Sequence, residues 1–183
     1  CRMNGITPLC TPWDAKRLFR LEQFGMDAYK IASADLTNHD LIKQAIKSGK
    51  PLICSTGMST EEEIVQTVSF LKQANATYIL LHCNSTYPAP FNDINLSYIS
   101  RLKDISGAIV GYSGHERGYS VVLAAIGMGA KIIEKHFTLD RNMKGNDHKV
   151  SLLPDEFSDM VRGIREVEDS LGNNQKRKLT QGE

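Results

Sequence analysis

Short apolar runs punctuate this chain at residues 6–10, 28–32, 52–54, 78–83, 108–112 and 131–137, with amphipathic stretches between them. Runs of that length bury as strands of a sheet covered on both faces. The intervening stretches carry helix signals. Ser59-Thr60-Glu61-Glu62 reads as a capping box, with Ser59 accepting from a backbone N–H and Glu62 reaching back; Ile64, Val65, Val68 and Leu71 follow at helical spacing. Phe157, Met160, Val161, Ile164 and Val167 repeat that spacing behind Pro154, a residue suited to a first helical turn. Strands alternating with helices make parallel βα units. At about 30 residues per unit this is an α/β fold of the TIM (β/α)8 type, of which about the last six units are present. An open doubly wound sheet is the rival. Residues 1–5 read as the last turn of a helix stopped by Gly5, and the polar stretch 172–183 as a linker, so residues 1–171 are expected to be a partial barrel domain.

The balance of 22 basic against 21 acidic residues leaves no field for nucleic acid or a membrane surface. The basic cluster Lys176-Arg177-Lys178 sits in the polar tail and is read as solvated. No apolar run approaches the length of a membrane span. Cys1, Cys10, Cys54 and Cys83 have no CxxC spacing and are expected to be reduced thiols, mostly buried, in a cytoplasmic protein.

The chemistry gathers where the runs end. In a parallel barrel all strand ends share one face, and active sites lie there. Thr11, Ser33, Asp35, Ser55, Ser85, Tyr87, Ser113, His115 and His136 all stand at or just beyond such ends. His115 and His136 terminate consecutive runs, which puts two imidazoles on one rim, an arrangement that holds a divalent metal with positions open for substrate. Lys30 lies inside an apolar run, where a lysine needs a partner. An anion such as phosphate supplies one, with Ser33 and Ser55 as further donors; the alternatives are that Lys30 snorkels outward or pairs with Asp35. Asp35 is a candidate acid or base. Asp147 lies in the loop after the last run, able to bond a polyol or ligate metal. His82 is expected to be structural and His39 to sit in a surface loop.

Tyr29-Lys30-Ile31-Ala32-Ser33, Ser55-Thr56-Gly57-Met58, Leu81-His82-Cys83, Tyr87-Pro88, Gly111-Tyr112-Ser113-Gly114-His115 and Glu134-Lys135-His136-Phe137-Thr138-Leu139-Asp140 together resemble the sialic acid synthase family, with its legionaminate, pseudaminate and spore-coat relatives. The resemblance implies condensation of phosphoenolpyruvate with an N-acyl amino-hexose of the N-acetylmannosamine type, giving a nine-carbon 2-keto acid and phosphate. It implies a divalent cofactor, Mn2+ with Mg2+ or Co2+ as alternatives, and a homodimer in full-length members. It implies His115 and His136 as metal ligands, and Lys30, Ser55 and Ser113 as phosphate contacts. Thr11 and Ser33 would lie near the phosphoenolpyruvate carboxylate, with Ser85, Tyr87 and Asp147 toward the sugar. Asp35 stands where many bacterial members have Glu, Ser85 where some have Asn, and Trp13 where Phe is common.

Family barrels begin with two further strands that carry a glutamate and a lysine of the site, and end in an antifreeze-like domain. These segments are not in the chain, so residues 1–183 alone are expected to be inactive. Two other readings stay open: another phosphoenolpyruvate-dependent sugar-acid synthase or metal aldolase, and an inactive, truncated ligand-binding domain.

Overall fold

The computed structural model describes residues 1–173 and 175–176; Arg177 and Lys178, and most of the expected linker, lie outside the described residues. Five strands, β1 (Tyr29–Ile31), β2 (Leu52–Ser55), β3 (Tyr78–Cys83), β4 (Ile109–Gly114) and β5 (Ile133–Lys135), form one parallel sheet in the order β1-β2-β3-β4-β5. Each strand pairs with the next in sequence, so the winding never reverses. That rules out a doubly wound sheet, whose strand order turns back at a switch point, and leaves half of a βα barrel.

The sequence suggested a sixth strand at residues 6–10, but only an isolated parallel bridge forms, between Cys10 and Tyr29. Pro8 has no N–H to give a ladder. The last run is also shorter than expected: β5 stops at Lys135, and Phe137 makes an isolated bridge to Leu152. Residues 2–4 form a single 3-10 turn closed by Gly5 in the left-handed region (φ 69°), as the C-terminal glycine suggested.

The connecting helices are α1 (Ala15–Glu22), α2 (His39–Ile46), α3 (Glu61–Gln73), α4 (Tyr98–Ser106) and α5 (Ser120–Gly127), with α6 (Pro154–Leu171) after β5. The capping box of α3 is shifted by one residue from the sequence reading. Thr60 Oγ1 accepts from the Glu63 N–H at 3.3 Å, and Glu63 Oε2 accepts from the Thr60 N–H at 2.8 Å. The run Ser59-Thr60-Glu61-Glu62-Glu63 offers the same pattern in two frames, and packing selects the one that buries Ile64, Val68 and Leu71 while Val65 stays exposed. His39 opens α2 rather than lying in a surface loop. Its ring stacks on Phe70 at 4.8 Å and its Nε2 meets Thr67 Oγ1 at 3.0 Å.

Strand pleating divides the residues between two faces. Tyr29, Ile31, Leu52, Cys54, Leu80, Val110 and Tyr112 pack outward with helix residues such as Ile42, Leu71, Leu102 and Val122 in one core. The alternate residues, Lys30, Ser55, Cys83, Ser113 and Glu134, face a common cavity on the other side. Cys54 and Cys83 are buried free thiols as expected, whereas Cys10 is partly exposed and Cys1 exposed. Among the described residues no helix is long and apolar enough to cross a membrane.

Candidate active site

The cavity holds about 570 Å³ at the C-terminal ends of the strands. Thr11, Lys30, Ser33, Ser55, Ser85, Tyr87, Ser113, His115, His136 and Asp147 all line it. Trp13 contributes to its wall.

One half is built around Lys30. Lys30 pairs in register with Ile53, so Ser55, two residues further along β2, shares its face. Lys30 Nζ donates to Ser55 Oγ at 2.7 Å and to the Ile31 carbonyl at 3.0 Å, and its side chain is only 13% exposed. It therefore neither snorkels outward nor pairs with Asp35. Its carboxylate neighbour is Glu134, with Oε2 at 3.7 Å. Ser113 pairs in register with Glu134 and donates its hydroxyl to Glu134 Oε1 at 2.8 Å. Ser33 Oγ accepts from the Gly57 N–H at 3.2 Å. A Cβ on Gly57 would lie 2.6 Å from Ser85 Oγ and 2.9 Å from Cys83 Sγ, so only glycine lets this loop close over the strand end.

The other half is built from imidazoles. The register of the last ladder pairs Gly114 with Lys135, so the chain leaves the sheet at matched heights and delivers His115 beside His136. Their ring centroids are 5.1 Å apart at an interplanar angle of 65°. His115 Nδ1 meets the Asn84 carbonyl at 2.6 Å. A carbonyl only accepts, so Nδ1 carries the proton and Nε2 keeps its lone pair, which accepts from Tyr87 Oη at 2.9 Å. The Tyr87 ring stacks on His115 with centroids 4.1 Å apart. His136 Nδ1 lies 3.9 Å from Asp147 Oδ2.

Burial holds the pKa of both histidines below the usual imidazole value. The nearby His115 ring adds to the effect on His136, and the Asn84 carbonyl opposes it at His115. Burial also pushes the Tyr87 phenol up to about 12. Neutral imidazoles with a fixed tautomer are suitable donors for a divalent metal. Among the described residues no group of three or more His, Cys, Asp or Glu side chains converges as a metal site. The side chains that could offer nitrogen donors to a metal here are the two imidazoles, and His115 Nε2 would do so in place of its bond to the Tyr87 hydroxyl.

Of the residues singled out in sequence, Asp35 does not join the others. It ends a 3-10 turn (Ser33–Asp35), and its Oδ1 accepts from Asn38 Nδ2 at 3.1 Å, beside the start of α2. Strand alternation does not carry through this turn, and Asp35 is not among the residues that line the cavity. His82 is structural as expected: it is buried on the helix side with Nε2 2.6 Å from the Ile94 carbonyl.

Sequence reasoning missed three charged residues. Glu134 lines the cavity between Lys30 and Ser113. Glu116 and Lys135 form an ion pair at 2.9 Å whose side chains are both 0% exposed. Tyr112 Oη donates to the second oxygen of Glu116 at 2.7 Å. The available signal was the run Glu134-Lys135-His136 inside an apolar stretch, where every ionisable group needs a named partner.

A family model described as the NeuB family matches residues 1–176. The chain is 43% identical over 173 residues to the N,N'-diacetyllegionaminic acid synthase of Campylobacter jejuni, a match covering 92% of this chain and 51% of that protein. It is 46% identical over 173 residues to an uncharacterized protein of Methanocaldococcus jannaschii, covering 94% of this chain and 51% of the relative. Among solved structures, the N-acetylneuraminic acid synthetase of Leptospira borgpetersenii superposes with a TM-score of 0.88 at 38% identity, over 92% of this chain and 59% of that one. The chain thus spans about half the length of the curated relatives it matches.

Proposed function

Because the chain belongs to the NeuB family, we propose that it supplies the phosphate-binding and metal-binding parts of a sugar-acid synthase. The reaction joins phosphoenolpyruvate to an N-acyl amino-hexose of the N-acetylmannosamine type and releases phosphate. One observation carries this reading: a lysine–serine anchor for an anion and a pair of neutral imidazoles face the same cavity of about 570 Å³. The relatives' activities agree, since those with assigned functions include legionaminic, pseudaminic and neuraminic acid-type synthases.

The atoms balance simply. The methylene carbon of phosphoenolpyruvate forms a bond to the aldehyde carbon of the sugar. Water adds at the adjacent carbon, and the C–O bond to phosphate breaks. A divalent ion, Mn2+ by preference with Mg2+ and Co2+ as alternatives, would be held by His115 and His136 and would supply polarisation of the aldehyde oxygen.

The remaining work falls to the chain's own groups. Lys30 binds the phosphate, with the Ser55, Ser33 and Ser113 hydroxyls as further donors, in a low-dielectric site where such contacts are strong. Thr11, which lines the same cavity, would serve the carboxylate. Tyr87, Ser85 and Asp147, which line the same cavity, would face the sugar. Two carboxylates line the cavity, Glu134 and Asp147; Glu134, beside Lys30 and Ser113, is the one assigned proton handling at the reacting centre, in place of Asp35. The cytoplasmic location, the homodimer, and the absence of nucleic-acid or membrane partners belong to the same reading.

The test is product analysis with the full-length protein. Phosphoenolpyruvate, Mn2+ and a panel of aldoses with one or two acylamino groups are supplied, and 2-keto acids are sought by mass. A nine-carbon keto acid from an acylamino-hexose supports the reading. Turnover confined to sugars without an acylamino group would sink it.

A further inference from the structure

The buried Glu116–Lys135 pair lies outside the cavity's catalytic inventory, yet its two members flank the imidazoles. Glu116 follows His115 and Lys135 precedes His136. Lys135 Nζ donates both to Glu116 Oε1 at 2.9 Å and to the Glu116 backbone carbonyl at 2.5 Å. These contacts tie the chain just beyond β4 to the last residue of β5. Tyr112, on the outward face of β4, fixes the other carboxylate oxygen. Space for the carboxylate comes from Gly114: a Cβ there would lie 2.7 Å and 2.9 Å from its two oxygens.

Stability alone does not explain this arrangement. Removing two charges from water costs several kcal/mol per ion, and a well-packed apolar pair of similar volume is often as stable or more so. The pair does have a clear geometric consequence. The ladder ends at Gly114 and Lys135, so no further pairing across the sheet extends to His115 and His136. Only contacts beyond the ladder set the distance between the two rings. The Asn84 carbonyl orients His115, the Tyr87 ring packs against both imidazoles, and the ion pair cross-links the two exit points.

From this we infer that Glu116 and Lys135 are positioning residues that set the separation of His115 and His136, and so the bite of the metal site; the inference rests on the proposed metal role of those histidines. Glu116 and Lys135 touch neither substrate nor metal in this account. They act through the backbone of the two ligands.

The test uses the full-length protein and the double substitution Glu116→Leu with Lys135→Met, which replaces the pair by apolar groups. Lys135→Met alone would leave a buried carboxylate without its cation and serves as the destabilised reference. The double variant is expected to regain part of the unfolding midpoint that the single variant loses, the shortfall being the buried Tyr112 hydroxyl left without its acceptor. It should bind phosphoenolpyruvate as the parent does, because Lys30 and Ser55 are untouched. Its Mn2+ affinity, measured by calorimetry, should fall about 10–100-fold, the usual cost of losing a partner that orients a ligand. In metal-free protein, the NMR contact between the His115 and His136 ring protons should weaken or vanish, while His82 and His39 signals stay in place. A double variant with parental Mn2+ affinity and an unchanged contact between the rings would overturn the inference. Should the parent itself bind no Mn2+, the metal reading fails, and the ring contact in metal-free protein still decides whether the pair positions the rings.

Discussion

The two halves of the cavity are built by different means. On the β1–β2 side, Lys30 and Ser55 lie within strands, and the pleat alone aims both side chains inward. On the β4–β5 side, His115 and His136 lie one residue beyond the strands, where pleating no longer dictates direction. They are held instead by a carbonyl, a phenol and a buried ion pair. The first half is a product of secondary structure and the second of tertiary contacts. Substitutions should therefore behave differently in the two: local and additive in the first, coupled in the second.

The largest expected effect tests whether the imidazole half is one unit. In the full-length protein, His115→Ala or His136→Ala should each abolish metal-dependent turnover with little change in unfolding midpoint. The loss of Mn2+ affinity should exceed the roughly 10–100-fold typical of an outer partner. Near-parental affinity after either substitution would break the comparison.

Next in size is Lys30→Met. It keeps the stem and removes the charge, and should weaken phosphoenolpyruvate binding by about 1.5–3 kcal/mol, the range for a hydrogen bond to a charged group. Mn2+ affinity should change far less, since Lys30 makes no hydrogen bond to either imidazole and reaches them only through the charge of Glu134. Calorimetry with each ligand separately checks both statements. Ser55→Ala should act in the same direction with about 1 kcal/mol, as a single hydroxyl partner is removed.

The smallest effect is expected outside both halves, at His82. Burial lowers its pKa in the folded state, so the unfolded chain takes up the proton more readily. The stability this neutral ring provides is fully present above about pH 6.5 and is lost as pH falls toward the lowered folded value. Denaturation midpoints at pH 7.5 and pH 5.5 should therefore differ more for the parent than for His82→Gln. Equal differences would show that another group carries the pH dependence.

The same division governs what could be read from the sequence. Lys30 betrayed itself as a charge within an apolar run, and the structure puts it on the inner face with Ser55 at 2.7 Å. The parallel βα alternation was equally readable, because each strand is short, apolar and followed by a helix. Residues 6–10 have the apolar pattern of a full strand, but Pro8 limits their pairing to one bridge. The place of Asp35 was not legible, because a 3-10 turn begins at Ser33 and breaks the strand period. That Lys135 needs a partner could be read from its apolar surroundings, but not that the partner is Glu116. The two are 19 residues apart, and they meet only because the β4–β5 register brings residues 114 and 135 level.

The central claim is that the two halves serve one reaction. It is tested most directly by following phosphate release from phosphoenolpyruvate by the full-length protein, with the acylamino-hexose and the divalent metal each supplied or withheld. The account predicts phosphate only when both are present, with one keto acid formed per phosphate and none after chelation. Phosphate released at the same rate without the sugar, or in a chelated sample, would contradict it.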